Sequence, residues 1–141
     1  MRRKFYQEYS LSLASGAFIL ILFTLPGSFA EVLRPKARWL KFITSDPVVH
    51  AGAMALFALA LSVDNRRVKK IVPWVKVVLI SLGYGLALEI IQNFIPGRAF
   101  ELRDLLFDGV GILVMLGALV LLFSWQKFAL RAAGTNPPSS K

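Results

Sequence analysis

The sequence predicts an all-α integral membrane protein, a compact bundle of four transmembrane helices with both termini in the cytoplasm. Three observations lead there. Apolar residues make up 56% of the 141 and charged residues only 18%, with a mean hydropathy of +0.61; so small a water-soluble chain cannot bury that much apolar surface. The apolar residues come in four runs, each near the ~20 residues that a bilayer core requires. The basic residues, which give a net charge of +9, gather beside those runs, as suits orientation in a bilayer and contact with anionic lipid. In a soluble chain such a charge would suggest nucleic acid. No aromatic-basic motif supports that reading, and no nucleic-acid partner is expected.

The first run, about 11–30, follows "MRRK" and ends in "SFA", a pattern shared with secretory signals. Retention as an uncleaved helix is expected, because further membrane segments follow instead of an exported domain. The second run, about 47–63, is short and rich in small residues. Asp46 before "PVV" reads as a helix N-cap, with Pro47 at the first helical position. The third run covers about 71–95, and Lys76 near its start can snorkel to the surface. The fourth covers about 105–125. Residues 1–132 thus form a single membrane domain, and "GTNPPSSK" at 133–141 reads as a disordered polar tail.

With the N-terminus inside, ten Lys and Arg fall in cytoplasmic segments and six on the other side, an excess that leans toward this orientation. The basic loop 34–41 runs against it; with Trp39 it can lie along the surface as an amphipathic stretch. Antiparallel threading then sends polar groups to one outer end. Asp46 and His50 open the second helix, Glu89 and Gln92 are near the end of the third, and Asp104 and Asp108 open the fourth. Arg98 is in the hairpin between the last two. Glu89 and Gln92, three apart, share a helical face, as do Asp104, Asp108 and Gly111 at intervals of four and three. Glu89 lies roughly 9 Å from the end of its segment, where a charge is adverse unless it faces the bundle interior, pairs or meets water. Gly and Ala every few positions, including Gly109, Gly111 and Gly117, allow close helix approach.

Each polar residue also has a purely structural reading. Asp46 serves as a cap, His50 bonds a carbonyl or Tyr84, Glu89 pairs with Arg98, and Asp104 complements the helix dipole. With no cysteine, disulfides, thiolate metal sites and a Cys nucleophile are excluded; with one histidine, so is a multi-histidine metal site within one chain. No cofactor is expected, and no ligand set implies a stable metal, although several carboxylates could hold a divalent cation.

The pattern "SDPVVH" followed by "YGLALEIIQNFIPGRAFELRDLLFDGVG" resembles the VanZ-like family, a teicoplanin-resistance-associated membrane protein family. The match runs over about residues 45–120. Its signature falls on Asp46, His50, Glu89, Gln92, Pro96, Arg98, Asp104, Asp108 and Gly111. The chain departs from it at Pro47, where the family commonly has Lys, and at Asp108, where Asn is common, so its mouth is more acidic. The resemblance implies a multi-pass protein of the bacterial inner (cytoplasmic) membrane with an envelope role, and no settled reaction.

Four functions compete. The leading one is binding or modifying a lipid or lipid-linked envelope precursor head group at a site of His50, Glu89, Gln92, Arg98, Asp104 and Asp108, with Asp46 beside them. Arg98 would grip an anionic head group in a bidentate manner, and His50 with Glu89 or Asp108 would exchange a proton near neutral pH. A lipid-linked hydrolase or transferase would use Glu89 or His50 as general base, but Ser45 is the nearest serine in sequence. A small transporter subunit would need oligomers for a path, so a homo-oligomer stays open as a partner alongside membrane lipids. A scaffold would use the polar groups only to lock the hairpin.

Overall fold

The computed structural model describes residues 6–26, 45–67 and 74–132. Within them the chain is all-helical: α1 (Ser10–Phe23), α2 (Asp46–Arg67), α3 (Trp74–Gln92) and α4 (Leu102–Ala132). Helices α2, α3 and α4 are long and apolar enough to cross a membrane, whereas α1 is a shorter apolar helix. The signal-like N-terminus, the basic loop 34–41 and the polar tail 133–141 lie outside the described residues.

Length separates α1 from the run of 11–30 expected for it. Its 14 residues span about 21 Å, against a hydrocarbon core of about 30 Å. The helix stops because Thr24 turns back on it. The Thr24 hydroxyl donates to the carbonyls of Leu20 at 2.8 Å and Ile21 at 3.1 Å, and Pro26 has no amide to continue the ladder. The other helices differ from expectation at their ends. Helix α2 continues beyond 63 to Arg67, and α4 beyond 125 to Ala132. At the start of α2, the Ser45 carbonyl accepts the amides of Val48 and Val49, each at 3.0 Å. Ser45 is therefore the backbone cap, and Asp46 and Pro47 are one position further into the helix than the sequence suggested. Asp46 lies in the first turn, where its charge complements the dipole.

Helix α2 is the central element. Its buried face runs through His50, Met54, Phe57, Ala58, Leu61 and Asp64, at spacings of three and four that keep one stripe inward. Ile19 and Phe23 of α1, Val77 and Leu88 of α3, and Ile112 and Leu116 of α4 complete the core around it. The outside of the bundle is apolar too. Phe18, Ile21, Leu79, Leu106, Leu113, Val114 and Leu121 are between 61% and 72% exposed, a surface suited to lipid tails and unsuited to water. We therefore read the chain as a multi-pass membrane protein.

Small residues matter at particular positions. A Cβ on Gly111 would lie within 2.8 Å of the Ala51 Cα and 2.6 Å of its carbonyl carbon, so α4 meets the α2 backbone directly. Nothing lies within 4 Å of such a Cβ at Gly52, Gly83 or Gly117. At the other end of α2, Asp64 reaches α1. Its Oδ2 accepts the Ser12 amide at 2.8 Å and the Ser12 hydroxyl at 2.7 Å. That amide is one of those a helix start leaves unpaired, and Tyr9 supplies no side-chain cap. A carboxylate from a neighbouring helix thus caps α1 and meets its positive dipole end.

Gly111→Ala should force α2 and α4 apart and destabilise the protein by about 2–3 kcal/mol, whereas Gly117→Ala should stay within about 0.5 kcal/mol of the parent. Thermal unfolding in detergent checks this, and equal midpoints for the two variants would refute the direct backbone contact.

Candidate functional site

The polar cluster is built from three helices at one end of the bundle. Helix α2 supplies His50 one turn from its start. Helix α3, running the other way, supplies Glu89 one turn from its end, and α4 supplies Asp104 and Asp108 from its first two turns. The α3–α4 hairpin sets their register. The Arg98 amide donates to the Ile95 carbonyl at 3.0 Å, closing a turn with Pro96 and Gly97 at its centre. Gly97 has φ 78°, the left-handed conformation that a type II turn requires at that position and that glycine adopts without strain. The returning chain then offers the Glu101 amide, which donates to Glu89 Oε2 at 2.9 Å.

His50 is at the centre. Its Nδ1 is 3.2 Å from Asp108 Oδ1. Its Nε2 faces Glu89 Oε1 at 3.4 Å and Asp104 Oδ2 at 3.5 Å. His50, Glu89 and Asp108 are no more than 1% exposed, and Asp104 is 5% exposed. The Phe23 ring meets the imidazole edge-on at 4.4 Å between centroids and closes the α1 side. An ionised carboxylate can only accept, so the contact with Asp108 places a proton on Nδ1, and Nε2 faces the other two acids. Among the described residues, His50 Nε2, Glu89 Oε1, Asp104 Oδ1 and Asp108 Oδ2 are buried without a hydrogen-bond partner.

Asp108 packs closely against α3. A Cβ on Gly85 would collide with Asp108 Oδ2 and lie 3.1 Å from its Cγ. Only glycine on α3 leaves room for the carboxylate to sit between the helices.

The remaining sequence-predicted residues fall around this cluster in different roles. Gln92 is buried, but its Nε2 donates to the Phe23 carbonyl at 3.3 Å, so it caps the end of α1. Tyr84 does not bond His50; its hydroxyl donates to the Gly16 carbonyl at 2.5 Å, and its ring packs on Phe57 at 4.6 Å. Arg98 is half-buried at the same end of the bundle. No acid pairs with it among the described residues, and its Nε is buried without a partner. The Glu89–Arg98 ion pair considered above is therefore not formed. Asp46 is half-buried in the first turn of α2 and close enough to Asp104 to act on it electrostatically. Asp64, fully buried at the opposite end, was not singled out from the sequence. The second apolar run ends at about 63 in the sequence, and the extension of the helix to Arg67 carries Asp64 into the bundle.

The VanZ/LLP1 family model matches residues 4–124, and the chain belongs to that family. No curated protein and no solved structure matches it.

Because His50 is the single histidine, its ring nitrogens can be read without ambiguity by 15N NMR. The protein should show Nδ1 protonated. Asp108→Asn and Gly85→Ala should each shift that signal toward a mixture of tautomers. An unchanged spectrum in both would show that Asp108 does not set the imidazole.

Proposed function

We propose that this chain is an envelope protein of the bacterial cytoplasmic membrane, with both termini in the cytoplasm, that binds an anionic lipid or lipid-linked precursor head group. The observation that carries the reading is the convergence of His50, Glu89, Asp104 and Asp108 from three helices at one end of an otherwise apolar bundle. Ionisable groups in such a setting are adverse for insertion and are retained for a role at the membrane. Arg98 supplies what an acidic cluster lacks. It is a cation on the connecting turn at the same end, with a fork that fits a phosphate or carboxylate. The family's link to teicoplanin resistance accords with a precursor exposed at the outer face.

One observation favours a second reading, a hydrolase or transferase acting on a lipid-linked substrate. An imidazole oriented by Asp108 through Nδ1 at 3.2 Å is a recurrent general-base arrangement. No serine hydroxyl hydrogen-bonds His50 among the described residues, so the nucleophile of this reading would be water or a substrate group.

In neutral detergent, phosphatidylglycerol should raise the unfolding temperature and phosphatidylcholine should not, and Arg98→Ala should lose that response while keeping its helical content. An equal response to both lipids would count against head-group binding. Topology is tested by single thiols in this cysteine-free chain. Ala99→Cys and Lys127→Cys both stand at exposed positions; the first should react with an impermeant reagent on whole cells and the second only after lysis. Asn65 is a poor reporter, since it is buried. The reverse labelling pattern would overturn the orientation.

A further inference from the structure

We propose that His50, Glu89 and Asp104 form a binding site for one divalent first-row transition-metal ion, zinc foremost, with Asp108 as the positioning residue behind the histidine. The three residues offer one ligand atom each, all within 4.8 Å of one another, and all three are buried. The separations distinguish this from a simple ion pair. A charge-assisted hydrogen bond from an imidazolium would draw its acceptor to about 2.7–2.9 Å. Nε2 instead stands 3.4 Å from Glu89 Oε1 and 3.5 Å from Asp104 Oδ2. Two ligands on a tetrahedral ion with bonds of about 2.0–2.1 Å lie roughly 3.3 Å apart. The two Nε2 distances are therefore close to the edge length of such a coordination sphere and longer than a charge-assisted hydrogen bond.

Three further observations point the donors at one place. Asp108 occupies Nδ1 at 3.2 Å, which leaves Nε2 as the ligating nitrogen, and a carboxylate on the far nitrogen is the usual partner of a metal-bound histidine. The Glu101 amide holds Glu89 Oε2 at 2.9 Å, so Oε1 is the oxygen turned inward. Nε2 and Oε1 are both buried and lack any hydrogen-bond partner among the described residues. Nε2 facing two carboxylates requires a positive charge between them, a proton or a metal, and separations of 3.4 and 3.5 Å leave room for the larger of the two. One imidazole with two carboxylates is a ligand set for zinc, manganese, iron or cobalt. Magnesium and calcium prefer an all-oxygen shell. In the sequence the lone histidine excludes only multi-histidine sites and no ligand set implies a stable metal, although the carboxylates could hold a divalent cation; the approach of two acids to Nε2 is a property of the packing.

The inference does not depend on the head-group reading. The test uses full-length protein purified in detergent, stripped with chelator and titrated separately with Zn2+ and Co2+ near neutral pH. Wild type should take up one ion per chain, Co2+ should give the intense visible bands of a four-coordinate site, and Zn2+ should shift the Nε2 15N signal while Nδ1 stays protonated. Glu89→Gln and Asp104→Asn should abolish uptake. Asp108→Asn should weaken it by about 10–100-fold, and Gly117→Ala should bind as wild type. A folded wild type that takes up no ion overturns the proposal, as does uptake that persists equally in Glu89→Gln and Asp104→Asn. If those variants do not fold, the cobalt spectrum and the nitrogen shift of the wild type decide alone. Metal uptake without any lipid response would sink head-group binding and keep the metal site; lipid response without metal uptake would do the reverse.

Discussion

The fold is organised around a single difficulty, an imidazole and three carboxylates removed from water inside a bundle that is apolar on the outside as well as within. His50 touches Glu89, Asp104 and Asp108, so one base stands among three acids. With every acid ionised, even a protonated imidazole would leave a negative excess in a setting of low dielectric, where unpaired charge is expensive. The surroundings offset part of it. The Glu101 amide bonds Glu89, and Asp104 stands in the first turn of α4, where the helix dipole favours negative charge. Neither supplies a full positive charge. A cation of some kind, proton or metal, is what the arrangement still requires.

That requirement accounts for features that otherwise look unrelated. The cluster forms only if α2, α3 and α4 come closer than ordinary side chains allow. Gly111 lets α4 meet the α2 backbone at Ala51, and Gly85 lets α3 pass over Asp108. The Pro96–Gly97 turn brings the Glu101 amide back over α3. Helix α1, too short to match the others, is tied down at both ends by side chains from its neighbours, Asp64 at Ser12 and Gln92 at Phe23. Without a hydrophobic drive between helices in lipid, such polar ties and close approaches are what hold a bundle together.

The helices and the polar end of the bundle were legible in the sequence for a plain reason. A charge inside an apolar run is conspicuous, and antiparallel threading puts residues 50, 89, 104 and 108 at one end whatever the details. The roles of individual residues were less legible, because they depend on distances between helices. Gln92 shares a face with Glu89, yet its partner is the Phe23 backbone, which carries no side-chain signal. Gly111 and Gly117 look equivalent on one helix, but only the first meets a neighbour. Asp64 stands beside Asn65 and Arg66 like any loop residue, and its burial follows from a helix that runs further than its apolar stretch.

The two ends of α2 show why burial alone does not identify a site. His50 and Asp64 lie on one stripe, 14 positions or about 21 Å apart, and both are buried. Asp64 receives two hydrogen bonds from Ser12 on one oxygen, and its other oxygen is a single unpartnered atom. That is the pattern of a structural cap with one lone pair left over. At His50 the unpartnered atoms come from four different residues on three helices, and two of them face each other at 3.4 Å. A cap needs one acceptor near one amide, and a fold gains nothing further by bringing several unsatisfied donors of charge to the same point. Convergence of unsatisfied groups, more than depth or charge, sets the His50 end apart from the structural cap at Asp64.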